Sequence, residues 1–88
     1  MANIRDLKKD INYVLGEIIE MAMDWEKANP DGDKSKTAAI IDEAITAFDS
    51  FSARIYEKGI DNKRTHYRAI VADLEAKGNE LITKLNAL

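Results

Sequence analysis

Eighty-eight residues with a net charge of −3, 45% of them apolar and 33% charged, with one proline and no cysteine, describe one domain of packed helices rather than a disordered tail. A chain of this length buries roughly 60 to 65% of its unfolded surface, which leaves little room for an elaborate catalytic site. The missing cysteines exclude disulfides, thiolate nucleophiles and cysteine-ligated metals, and the acidic balance argues against nonspecific nucleic-acid binding.

The amino terminus is charged and periodic from the start, with no apolar run suited to a signal peptide or a bilayer span. The cytoplasm is therefore the expected location, with no membrane partner. Asn3 is placed to cap a first helix, and Asp6 falls in its first turn, where a negative charge suits the helix dipole. From Ile4 to Trp25 apolar residues recur at 4, 7, 11, 14, 18, 21 and 25. This alternation of three and four draws one seam down a helix, and Leu15, Ile19 and Ala22 widen it. The opposite face carries Asp6, Asp10, Glu17, Glu20 and Asp24 around Tyr13, with Lys9 and Lys27 at its margin. It is either a solvated face or a docking strip for a basic partner with Tyr13 as aromatic anchor. Gly16 weakens the helix by about 1 kcal/mol relative to alanine, whether tolerated or allowing a neighbour close approach.

The stretch 28–36, ANPDGDKSK, has the proline and glycine of a turn. Its acidic spacing invites comparison with a calcium loop, but Lys36 stands where the central glycine is needed and Asp42 where the closing glutamate is needed. A helix cap at Asp33 or Ser35 explains the same residues. A second seam then runs through Ile41, Ala44, Phe48, Phe51 and Ile55, flanked by Ile40 and Ile45. Gly59 is expected in the left-handed C-cap position, with Ile60 folding back on Ile55 as in a Schellman motif. Asp61 or Asn62 caps the third helix after so short a link that the two helices must be antiparallel.

The third helix carries Tyr67, Val71, Leu74, Gly78, Leu81, Leu85 and Leu88, with Ile70 and Ile82 beside them. Gly78 in the seam is expected either as a local flaw or as the place where a bulky residue, Trp25 foremost, fills space. The expected fold is an all-α, up-down-up three-helix bundle over residues 1–88, with helices at about 4–27, 36–58 and 62–87, each roughly 33 to 38 Å long.

Catalytic and metal chemistry find no pattern here. A bundle metal site draws on several inward glutamates and histidines. His66 is the one histidine, set between Arg64 and Arg68. No serine has a nucleophile's context, and no glycine-rich phosphate loop is present. The expectation is therefore no enzyme, no cofactor, no metal and no small-molecule substrate.

The opening IRDLKKDINYVLGEII resembles the first helix of the helical chorismate mutases over that segment alone. Those enzymes grip a dianion with inward arginines and lysines, whereas the seams here carry none. The overall layout of three matched helices resembles short uncharacterised helical proteins of Bacteroidetes genomes, which implies a fold and no activity.

Two surfaces are candidates for function. Tyr13, Ile19 and Met23 lie toward or beyond the edge of the first seam, as a patch for another protein, or for a second copy in a homodimer, requires. The leading expectation is accordingly a noncatalytic protein-interaction module. The alternative is anion or nucleic-acid binding at the end where helix 1 starts, helix 2 stops and helix 3 starts. Arg5, Lys8, Lys9, Arg54, Lys58, Lys63, Arg64 and Arg68 would gather there, eight cations against five acids, so that the end carries +3 and the rest −6 of a total of −3. Lys58, Lys63, Arg64, His66 and Arg68 are its candidate anion-binding residues.

Overall fold

The computed structural model describes residues 4–88. Three helices, α1 (Ile4–Ala28), α2 (Lys34–Ile55) and α3 (Lys63–Asn86), pack pairwise against one another in a rod of 51 × 20 × 18 Å. This is the expected all-α, up-down-up three-helix bundle. The proposed Asn3 cap lies outside the described residues.

Both internal helix starts are fixed by side chains. The Asp33 carboxylate accepts hydrogen bonds from the Ser35 amide at 2.9 Å and the Ser35 hydroxyl at 2.6 Å, so α2 begins at Lys34, two residues earlier than expected. These bonds hold the Asp33 carboxyl below its ordinary value, the Ser35 hydroxyl foremost. Asn62, rather than Asp61, caps α3 by accepting from the Thr65 amide at 3.1 Å. α2 stops at Ile55, three residues before the expected limit, with Tyr56 as its cap. Gly59 does take a left-handed φ of 78°. It stands beyond that cap, however, in the link to α3 and not at the helix end.

The core consists of Leu7, Ile11, Leu15, Ile18 and Ala22 from α1, Ile40, Ala44, Ala47, Phe51 and Ile55 from α2, and Ile70, Leu74, Leu81 and Leu85 from α3. Seams one and three follow the expected spacing with small rotations: Met21 and Ile82 are exposed, and Leu15 and Ala22 are buried. The rotation on α2 is comparable to that on α1. Thr37, Ile40, Ala44 and Ala47 face inward, while Phe48 and Ile45 are exposed. Ala44 and Ala47 thus take core positions beside Ile40, Phe51 and Ile55, and Ile45 and Phe48 lie along the edge.

Gly78 receives Val14, whose Cγ1 would be 3.1 Å from an added Cβ, and not Trp25. Trp25 instead lies over the α1–α2 turn: a Cβ on Gly32 would fall 2.7 Å from Trp25 Cη2. The turn is tied to the same residue, because both the backbone amide and the side-chain Nδ2 of Asn29 donate to the Trp25 carbonyl at 2.9 Å.

Candidate functional site

The register of α1 against α2 decides which surface residues meet. Lys8 Nζ stands 4.9 Å from the centre of the Tyr56 ring, and the Thr37 hydroxyl donates to the Glu26 carboxylate. In this antiparallel register Asn12 shares a groove with Ser52, while Met23 lines a separate groove near the α1–α2 turn with Glu26, Lys27, Pro30 and Lys34. Lys8, Ile11, Asn12, Phe48, Ser52 and Tyr56 line a groove of about 340 Å³ at one end of this valley. Between the two grooves Ile19 and Ile41 are half-buried against the core, and Ile45 is exposed on α2. Of the large apolar side chains left exposed, Phe48 and Tyr56 therefore line one groove with α1, Met23 lines the other, and Ile45 is exposed on the α2 stretch that separates Phe48 from the turn.

Tyr13, the most exposed of them at 70%, is elsewhere. It lines a groove between α1 and α3 with Val14, Glu17, Ile18, Met21 and Ile82. The three residues singled out from the sequence thus divide between two surfaces, Ile19 and Met23 on the α2 side and Tyr13 on the α3 side. Ten residues separate Tyr13 from Met23, which places them about 80° apart around a helix of 3.6 residues per turn. Sequence reasoning missed Ile45, Phe48 and Tyr56 on α2. The signal was present in their size, since a seam built on Ala44 and Ala47 leaves bulky neighbours outside.

Electrostatics distinguish the three valleys. Between α2 and α3, Arg54 pairs with Asp73 at 2.7 Å, and Glu43 receives Lys84 at 2.7 Å and Lys77 at 3.4 Å. Glu80 closes the group, 2.8 Å from Lys77 and 3.7 Å from Lys84. The Lys84 ammonium, and then that of Lys77, hold the Glu43 carboxyl below its ordinary value, and Lys77 does the same for Glu80. Among the described residues, every ion pair between two helices joins α2 and α3. Neither flank of α1 is closed in this way.

At the basic end the candidate residues separate. His66 turns inward, its side chain 13% exposed, and Nε2 lies 2.6 Å from the Arg54 carbonyl oxygen and 3.7 Å from Glu57. A carbonyl only accepts, so Nε2 carries the proton, and the ring is committed to the end of α2 rather than presented to an anion. Lys58, Lys63, Arg64 and Arg68 are exposed at this end and have no ion-pair partner among the described residues. Asp33 and Ser35, which entered the calcium-loop comparison, are engaged with each other as the α2 cap.

Among the described residues no helix is long and apolar enough to cross a membrane, and no group of three or more His, Cys, Asp or Glu could hold a metal ion. No family model matches the chain, and neither a curated protein nor a solved structure matches it.

Proposed function

We propose that this protein is a noncatalytic, cytoplasmic interaction module that receives an apolar helical face of another protein in the valley between α1 and α2. The observation that carries this reading is the open groove that Phe48 and Tyr56 line against α1, with Ile45 and Met23 exposed further along the same two helices, which no ion pair joins among the described residues. A helix laid there would remove these side chains from water, at about 25 cal/mol for each Å² of apolar area covered, and would complete a four-helix arrangement. The test is affinity capture from the source cell at high salt with the wild-type chain and with Met23→Asp and Ile45→Asp variants that still fold. A protein retained by the wild type and lost by both variants supports the reading. A wild type that retains nothing, or variants that retain the same partner, overturns it.

A second reading, anion or nucleic-acid binding, is favoured by one observation. Lys58, Lys63, Arg64 and Arg68 have no ion-pair partner among the described residues at the end where α1 and α3 present their positive dipole ends. Binding of a duplex or single-stranded oligonucleotide that falls steeply with salt and is lost in Lys63→Glu/Arg64→Glu supports it. Affinity indifferent to salt or to that reversal rules it out.

A further inference from the structure

The α1–α3 groove is a different surface with a different chemistry. Its apolar lining of Tyr13, Val14, Ile18, Met21 and Ile82 encloses about 250 Å³. That volume is below the about 300 to 1,000 Å³ typical of small-ligand pockets, so it suits one anchoring side chain of a larger partner. Methionine at its mouth adapts to varied apolar shapes.

Carboxylates predominate along its border, with Arg68 two turns before Glu75 on the same edge of α3. Glu17 lines the groove itself, Asp10, Glu20 and Asp24 stand along the same exposed side of α1, and Glu75 lies two turns before Ile82 on the facing edge of α3. None of these five carboxylates has an ion-pair partner among the described residues, whereas Glu43, Asp73 and Glu80 in the α2–α3 valley are all paired. The arrangement opposes helix stability. Glu17 and Glu20 are three residues apart and Glu20 and Asp24 four, spacings at which like charges repel, and Asp24 approaches the negative end of the helix dipole. A cation-bearing partner relieves this repulsion as it binds, whereas a phosphate-rich surface would add to it.

We propose that the α1–α3 groove binds a basic amphipathic helix of another protein, with an apolar side chain seated among Tyr13, Met21 and Ile82 and flanking lysines or arginines meeting Glu17, Asp24 and Glu75. This surface shares no lining residue with the α1–α2 valley, so each fails or stands by itself.

The test uses two synthetic amphipathic helices of about five turns, one of leucine and lysine and its counterpart of leucine and glutamate. Binding is followed by calorimetry and by methyl NMR of Met21, Met23, Ile45 and Ile82. The lysine peptide is expected to bind, to shift Met21 and Ile82 and not Met23 and Ile45, and to lose at least about tenfold in affinity between about 50 and about 300 mM salt. Glu17→Lys/Asp24→Lys, both at exposed positions, is expected to weaken it about tenfold or more, with unchanged circular dichroism. Absence of binding, equal binding of the two peptides, shifts confined to Met23 and Ile45, or an unaffected charge-reversal variant overturns the proposal.

Discussion

His66 Nε2 donates to the carbonyl oxygen of Arg54, so the first turn of α3 closes the last turn of α2. The last four carbonyls of any helix lack intrahelical donors. Here a side chain from the next helix supplies one, and the Glu57 amide reaches the same oxygen at 3.3 Å. His66→Ala is expected to lower stability by about 1 to 2 kcal/mol through the lost bond and the gap it leaves. Lys63→Ala, at an exposed neighbour, is expected to stay within about 0.5 kcal/mol. Urea denaturation of the two variants measures the difference.

Two glycines are expected to answer alanine with opposite signs. On Gly32 a Cβ would meet the Trp25 ring at 2.7 Å and the Asn29 carbonyl oxygen at 3.1 Å. Gly32→Ala should destabilise by about 1 to 3 kcal/mol, as overpacking does, and change the Trp25 fluorescence. At Gly16 nothing lies within 4 Å of the added carbon. Gly16→Ala should stabilise by up to about 1 kcal/mol, the helix-propensity difference. Thermal melts followed by fluorescence and circular dichroism check both.

The α2–α3 ion pairs carry a defined pH dependence. Glu43 and Glu80 are held below their ordinary value of 4.5, so the stability they confer is present above about pH 4.5 and is lost as pH falls through their lowered folded values. Lys77, held by Glu80, and Lys84, held by Glu43, are raised above 10.5, so their share is present below that pH and is lost as pH rises through the folded values. The four groups are substantially exposed and solvent screens them, so the effect is small. In urea titrations Glu43→Gln should be less stable than the wild type at neutral pH. The gap should close at acid pH, and a gap that persists there would contradict this account.

Core and docking positions should separate cleanly. Leu81→Ala removes a fully buried side chain and is expected to cost about 2 to 5 kcal/mol. Ile45→Gln, at an exposed position, should cost less than about 1 kcal/mol while still removing apolar area from the α1–α2 valley. Denaturant midpoints distinguish the two substitutions.

Much of this architecture is legible in the chain. Three-four spacing identifies three helices, and Asp33, Asn62 and Gly59 mark the turns between them. Periodicity is weaker at deciding how each helix is rotated. On α2 the spacing is met equally by a stripe through Phe48 and by one through Ala47, and hydrophobicity alone favours the larger residue. The assembled bundle turns Ala47 inward, on the same stripe of α2 as Glu43 and Arg54, which pair with α3, and leaves Phe48 toward α1. The same limit applies to the surfaces. Tyr13, Ile19 and Met23 share a helix, but α2 and α3 place them on different sides, and the partners Ile45, Phe48 and Ile82 become neighbours only once the bundle is assembled. His66 illustrates the complementary case: its basic neighbours in sequence suggested an anion, while its neighbour in space is a backbone carbonyl.

Among the described residues the confinement of interhelical ion pairs to α2 and α3 adds a charged component to one seam of an otherwise apolar core. α1 is held by apolar packing, with a hydrogen bond from Thr37 to Glu26 and a cation–π contact from Lys8 to Tyr56 among the described residues. Apolar attraction fades on cooling, whereas the desolvation penalty of charged pairs shrinks on warming. On cooling, the attachment of α1 weakens with its apolar packing, whereas α2 and α3 keep in addition a small, solvent-screened contribution from their ion pairs.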